Sequence, residues 1–237
     1  LNFWKNNFED ALLYMKLHAD LSRRAVVNSL DLDWLPSPMA GVYRRMLDRI
    51  GGEVARATSI VRYEPESFFS SHTHSGGEEF LVLEGVFSDE HGDYGPGTYV
   101  RNPVGSSHTP FSKQGGTIFV KLQQFHPLDQ TPVCVDTKAA CWQGGSVDGI
   151  TALPLHQYEN EVVSLIKCGP GVSFPDSVQA GGEEVLVLDG VLSDELAHYE
   201  KGTWIRNPPA SHQQRYSKQG CLLYIKTGHL AASSKVG

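Results

Sequence analysis

Four side chains in the first half of this 237-residue sequence have the types and spacing to hold a metal ion: His72, His74, Glu78 and His108. His72 and His74 flank a single threonine, and on a strand residues i and i+2 point to the same face. Glu78 follows after Ser75-Gly76-Gly77. His108 ends the run Pro103-Val-Gly-Ser-Ser-His, where a further strand pair can return a third imidazole to the same mouth. Three imidazoles and a carboxylate suit zinc, and equally Fe(II), Mn, Ni or Cu(II). A metal preferring six ligands would keep positions for water or substrate.

The elements that must position these groups are legible from an internal repeat. GGEEFLVLEGVFSDE (76–90) returns as GGEEVLVLDGVLSDE (181–195), and GTYVRNP (97–103) as GTWIRNP (202–208). SKQG (112–115) returns as SKQG (217–220). Every match lies 105 residues further on, and from 68 to 122 the alignment needs no gap, with 25 of 55 positions identical. Turns copied at fixed length mean that a folded unit has been duplicated. The unit reads as β: Phe80–Leu83, Thr98–Arg101 and Ile118–Lys121 are short apolar or β-branched runs bounded by Gly, Pro, Ser or Asp. No stretch within the repeat keeps a 3.6-residue period for three turns. Many short antiparallel strands favour a sandwich or closed barrel.

Outside the repeat, residues 7–24 place Phe8, Leu12, Met15 and Ala19 at helical spacing, with Asn7 and Asp10 able to cap the start. This predicts a short N-terminal helix. The expected organisation is a helical extension over 1–33, a metal-binding barrel over 34–128 and a turn-rich linker over 129–149. A second barrel over 150–230 and a loose tail over 231–237 complete it.

The formal net charge of -7 argues against a nucleic-acid surface. No apolar run approaches the roughly 20 residues of a membrane helix. No basic segment leads into an apolar stretch with a cleavage site. Cys134, Cys141, Cys168 and Cys221 form no CxxC pair and read as free thiols. Together these point to a cytoplasmic protein.

HTHSGGEEFLVLEG matches in full the first motif of the cupins, HxHx3Ex6G, and GTYVRNPVGSSH matches their second, Gx5PxGxxH. Ser112 stands where the second motif usually continues to Asn. The surrounding wording (RNP, EGVFSDEHGDY, KQGG) resembles the ChrR-type cupins, strongly over 34–125 and weakly over 150–228. The resemblance implies an all-β chain of two tandem cupin barrels, of the double-stranded β-helix or jelly-roll type. It implies one divalent metal in the first barrel, on His72, His74, Glu78 and His108; zinc is the family's metal, with iron, manganese or nickel compatible. Solvated loop histidines, the plainer reading, do not account for two complete motifs.

The second half informs by loss. His72 aligns with Ser177, His74 with Gln179 and His108 with Gln213, while His212 sits one residue out of register. A lone Glu183 cannot hold a transition metal, so the second barrel is expected to be metal-free. Glu78 has a structural alternative, because its counterpart survives without the histidines. Asp89, Glu90, Arg101, Asn102 and Lys121 recur as Asp194, Glu195, Arg206, Asn207 and Lys226. What both barrels share is the fold, so these are assigned to turns and ion pairs.

Two functions are expected from the resemblance, ranked above a purely structural or storage role in which the metal stabilises the barrel. One is a regulatory or sensory cupin, akin to the cupin domain of ChrR-like anti-sigma factors, binding a small molecule at the metal and passing the signal to a protein partner. Here the sequence departs from the pattern: no HxxxCxxC occurs, and the anti-sigma contact is in doubt. The other is an Fe-dependent dioxygenase acting on a diketone or hydroxyketone, for which no catalytic residue is identifiable. A homodimer is the expected assembly.

Overall fold

A computed structural model describes residues 15–176 and 178–230. Among these the chain forms strands joined by tight turns, with a 3-10 turn at Ser29–Asp31 and no α-helix. It divides into two units. The first comprises the described residues through Ala19 together with Asp33–Lys138; the second comprises Asp20–Leu32 together with the described residues from Ala139 onward.

In the first unit one sheet runs Lys16–Leu17, Val42–Gly51, Ala55–Tyr63, Gly116–Leu122, Glu78–Gly85, Thr98–Asn102, Val133–Asp136. A smaller sheet runs Gly92–Tyr94, Phe87–Asp89, Phe111–Ser112, Ser67–Phe68. A two-stranded ribbon joins His72–Thr73 to Ser107–His108. The strands are antiparallel, and alternation sends one set of side chains inward. Val42, Val61, Phe80, Phe87, Val100 and Ile118 meet there in one buried cluster. Each such side chain removed from water contributes about 1.5–3 kcal/mol.

The second unit repeats this plan around Ile150, Val185, Leu192, Ile205 and Leu223. The copying extends to irregularities. Pairing of Gly116–Leu122 with Glu78–Gly85 slips by one residue between Thr117 and Ile118. The corresponding pair in the second unit slips between Val187 and Asp189, skipping Leu188 just as the first skips Leu83. Leu188 lies 105 residues after Leu83, so the duplicated turns carry a duplicated bulge.

Two features of the N-terminal region correct the expected helix. Lys16–Leu17 is a strand paired with Arg49 and Ile50, and His18 adopts φ 47, which breaks any helix there. Ala25–Asn28 is a second strand, paired with Thr203–Arg206 of the second unit's sheet. Apolar residues three and four apart can serve equally on edge strands interrupted by turns, and tertiary pairing overrides the periodicity. Residues 7–14 of the expected helix lie outside the described residues, as does the tail.

Ala25–Asn28 occupies in the second unit the place that Val133–Asp136 occupies in the first: each pairs with the strand carrying the repeated Arg-Asn, Ala25 opposite Arg206 and Val133 opposite Arg101. The strand leading the first repeat thus completes the second sheet, and the strand leading the second repeat completes the first.

Candidate metal centre

The ribbon fixes two of the four candidate residues. His72 and His108 are direct cross-strand partners, so both rings leave the same face. His74 follows two residues on. A Gly-Gly turn, with Gly77 at φ +76 and packed where a Cβ would strike the Phe125 ring, then swings the chain into the strand that opens with Glu78. Opposite Glu78 lies Asn102, whose Nδ2 donates to Glu78 Oε2 at 3.0 Å.

All four residues come together. The ring centroids of His72, His74 and His108 lie 4.7–5.1 Å apart, and one donor atom from each residue lies within 4.8 Å of all the others. Glu78 Oε2 is 3.5 Å from His74 Nε2 and 3.4 Å from His108 Nε2. Bonds of about 2.1 Å to one tetrahedral ion would separate ligand atoms by about 3.4 Å. His74 and His108 are 3% exposed, and neither Nε2 has a hydrogen-bond partner. Buried polar atoms are ordinarily satisfied, so the set is chemically suited to a cation at its centre.

Outer contacts orient the rings. His108 Nδ1 lies 3.0 Å from Asp89 Oδ2, and His72 Nδ1 lies 2.9 Å from the Ser70 carbonyl. Engaging Nδ1 leaves Nε2 for a ligand role. Asp89 is itself held by the His91 amide and the Tyr94 hydroxyl at 2.8 and 3.0 Å. Burial holds His74 below its ordinary pKa; Glu78 opposes that shift, and the two neighbouring histidines reinforce it. A neutral imidazole is the form that binds metal.

A cavity of about 300 Å³ adjoins this group. His72, His74 and Glu78 face it, Val42, Val61 and Ile118 supply apolar walls, and Tyr63, Arg44 and Arg49 add polar ones. Burial, and next the Glu78 carboxylate, raise the Tyr63 phenol, so it stays protonated. Arg44 is paired with Glu53 at 3.0 and 3.2 Å.

Among the described residues of the second unit this arrangement is absent. Its ribbon pairs Val178 with His212 and Gln179 with Ser211, which is the register of Thr73 with Ser107. His212 therefore occupies the position of Ser107, on the other face of the ribbon, and its partly exposed ring pairs with Asp176. Ser177 lies outside the described residues. Glu183 keeps its asparagine, accepting from Asn207 Nδ2 at 2.8 Å. Its other oxygen accepts from Arg215 Nη1 at 3.1 Å.

Among the repeated residues, Arg101 forms buried ion pairs with Glu79 and Asp129 at 3.0 and 2.6 Å. Ser112, at the departure from the second motif, donates to the Val86 carbonyl at 2.6 Å, as Ser217 does to Val191. Asp89 and Asn102 are more than turn residues, because they contact His108 and Glu78. Recurrence in both repeats concealed this: Asp194 turns the same carboxylate to Arg24 at 2.5 Å and to Tyr199 at 2.7 Å. Arg215, aligned with Pro110, had no motif to mark it. The four cysteines are free, Cys134 and Cys141 exposed, Cys168 and Cys221 buried.

Two tandem double-stranded β-helix barrels, one lined by a His-His-Glu-His group, define a bicupin. Residues 22–126 and 130–231 each match the ChrR cupin-like domain, and the chain belongs to that family. Its fold is similar to that of a Nostoc punctiforme protein provisionally named a dioxygenase, at TM-score 0.72 and 15% identity, covering 90% of this chain and 85% of that one. It is also similar to YlbA of E. coli, at TM-score 0.69 and 16% identity, covering 92% and 96%. A variant of Bacillus subtilis oxalate decarboxylase aligns at TM-score 0.61 and 11% identity, covering 86% and 77%. No match was found among curated proteins. Among the described residues no helix is long and apolar enough to cross a membrane.

Proposed function

We propose that the first barrel binds one divalent metal ion through His72, His74, Glu78 and His108, and that the ion and the cavity beside it bind a small oxygen-bearing molecule as a signal. The observation that carries this reading is the pair of buried, unsatisfied Nε2 atoms facing the buried Glu78 carboxylate. Family resemblance favours zinc, and the donor set also accepts iron, manganese or nickel. The ion would act as a Lewis acid toward a ligand oxygen. The protein's own residues do the rest. Asp89 and the Ser70 carbonyl hold the rings in place, Asn102 holds Glu78, and the apolar walls exclude water from the ligand's carbon body. A cytoplasmic homodimer that passes the signal to a protein partner belongs to the same proposal.

A second reading is a metal-dependent dioxygenase acting on a diketone or hydroxyketone. It is favoured by the 300 Å³ of space beside the metal group, which suits an organic co-ligand. Metal analysis of protein purified without added metal should find one equivalent per chain; an absence of bound metal would end both readings. Oxygen uptake by iron-loaded protein with β-diketones and hydroxyacetophenones separates them. Turnover establishes the enzyme, and no uptake with any of them leaves the sensor.

A further inference from the structure

The second barrel contains its own cavity of about 300 Å³. Glu183 and Arg215 are the charged side chains of its lining, and Ile150, Ile166, Phe174 and Ile225 form apolar wall. Glu183 is the counterpart of Glu78, and the Arg215 guanidinium lies against the carboxylate oxygen that Asn207 leaves open, whereas in the first barrel the imidazole nitrogens approach the Glu78 oxygen that also accepts from Asn102. Arg215 is 11% exposed at its side chain and Glu183 is 1% exposed. The Arg215 Cζ also lies 5.2 Å from the centre of the Phe174 ring. Among the described residues the guanidinium hydrogen-bonds to Glu183 through Nη1. A guanidinium carries five N–H donors in a fixed plane, and a single bond to Glu183 leaves further donors to meet a guest.

Charge decides what kind of guest. In the first barrel a divalent ion beside one carboxylate leaves an excess positive charge, which favours an anionic oxygen. In the second, one guanidinium and one carboxylate cancel. A carboxylate ligand would bring a second anion beside the buried Glu183 without a second cation, a costly desolvation. An uncharged carbonyl oxygen can accept from Arg215 at no such cost. The volume is at the lower end of ligand pockets, and the walls suit a small carbon ring or branched chain.

We propose that the second barrel is a metal-independent pocket for a small uncharged carbonyl compound, its oxygen accepting from Arg215 and its carbon body resting on Ile150, Ile166 and Ile225. This does not depend on the function of the first barrel.

The test uses the full chain, stripped of metal by a chelator and labelled at isoleucine methyls, titrated with acetylcyclohexane, cyclopentanone and δ-valerolactone. Cyclohexanecarboxylate serves as the charged counterpart of acetylcyclohexane. At least one neutral compound should give saturable shifts at Ile150, Ile166 and Ile225, with Ile118 of the first barrel unmoved. The carboxylate should bind there at least tenfold more weakly. Glu183→Gln/Arg215→Gln removes both charges together, so that neither is stranded, and should raise the Kd of the neutral compound at least tenfold. Ala152→Leu fills the cavity without touching the ion pair and should do the same, keeping the test alive if the double variant misfolds. His74→Ala, in the other barrel, should leave the shifts at Ile150, Ile166 and Ile225 and their Kd as they are. No saturable shift with any neutral compound, unchanged affinity in Ala152→Leu, or tighter binding of the carboxylate would overturn the proposal; in those cases Arg215 only completes the fold.

Discussion

Glu78 and Glu183 open equivalent strands, bond to equivalent asparagines and are both buried, yet they face different groups. Glu78 faces three imidazoles that converge on one point. Glu183 faces the guanidinium of Arg215. A buried carboxylate without a partner is expensive, and where the second repeat has no imidazoles beside Glu183 the chain sets a guanidinium there. On the proposed function, the tethered guanidinium stands in the second barrel where the first would hold an exchangeable ion.

The sharpest way to break this comparison is to exchange the roles. His74→Ala should take bound metal from about one equivalent per chain to none, while Gln179→Ala at the aligned position should leave it unchanged, as read by elemental analysis. Stoichiometric metal in His74→Ala protein would refute the single-site account. Next in size is Arg215→Ala. It strands Glu183 and should cost about 3–5 kcal/mol of stability in denaturant unfolding, the expected loss for removing one partner of a buried pair. Glu183→Gln/Arg215→Gln should cost much less. If the single and double variants are equally stable, the guanidinium is not serving as the carboxylate's counterion.

Asp89→Asn probes the aspartate whose partner differs between the barrels. It should weaken metal binding by about 10–100-fold, the usual effect of losing a carboxylate behind a histidine ligand. Asp194→Asn should leave metal affinity alone and cost stability through Arg24 and Tyr199.

Acid should separate the barrels as well. Burial lowers the pKa of His74 from its ordinary 6.5. As pH falls below 6.5 the unfolded chain takes up a proton that the folded metal-free protein resists, so stability falls with pH until the lowered value is passed. His74→Ala should remove this contribution from the thermal stability of metal-free protein as the pH is lowered below 6.5. The smallest effect concerns Ala210, which holds φ 60 where the first repeat has Gly105 at φ 86. Ala210→Gly should gain about 1 kcal/mol by relieving a left-handed alanine. A loss of stability would show that the methyl group packs usefully.

The convergence of the four residues and their barrel were legible because both rest on spacing: two motifs fix His72, His74, Glu78 and His108, and a constant offset of 105 carries the turns and even the bulge. Arg215 was not legible. Its alignment with Pro110 says nothing about a long side chain reaching back to Glu183, thirty-two residues earlier in the chain. Asp89 was obscured by conservation within the molecule itself, since an identical residue in the second repeat has a different partner. The N-terminal segment misled because Met15 and Ala19 satisfy a helical stripe on paper, while Lys16–Leu17 between them finds its hydrogen bonds on the edge of a sheet.

The crossed-over leading strands have a practical corollary for anyone dissecting this protein. Severing the chain near residue 129, where the repeats would naturally be divided, hands each fragment the wrong strand. The N-terminal piece carries Ala25–Asn28 with nothing to pair it, and Thr98–Asn102 becomes a raw sheet margin; the C-terminal piece inherits Val133–Asp136 and exposes Thr203–Asn207. Such margins recruit neighbouring chains. Insoluble halves would report only a misplaced cut, and co-expressing both halves is the way to learn whether each can return what it borrowed.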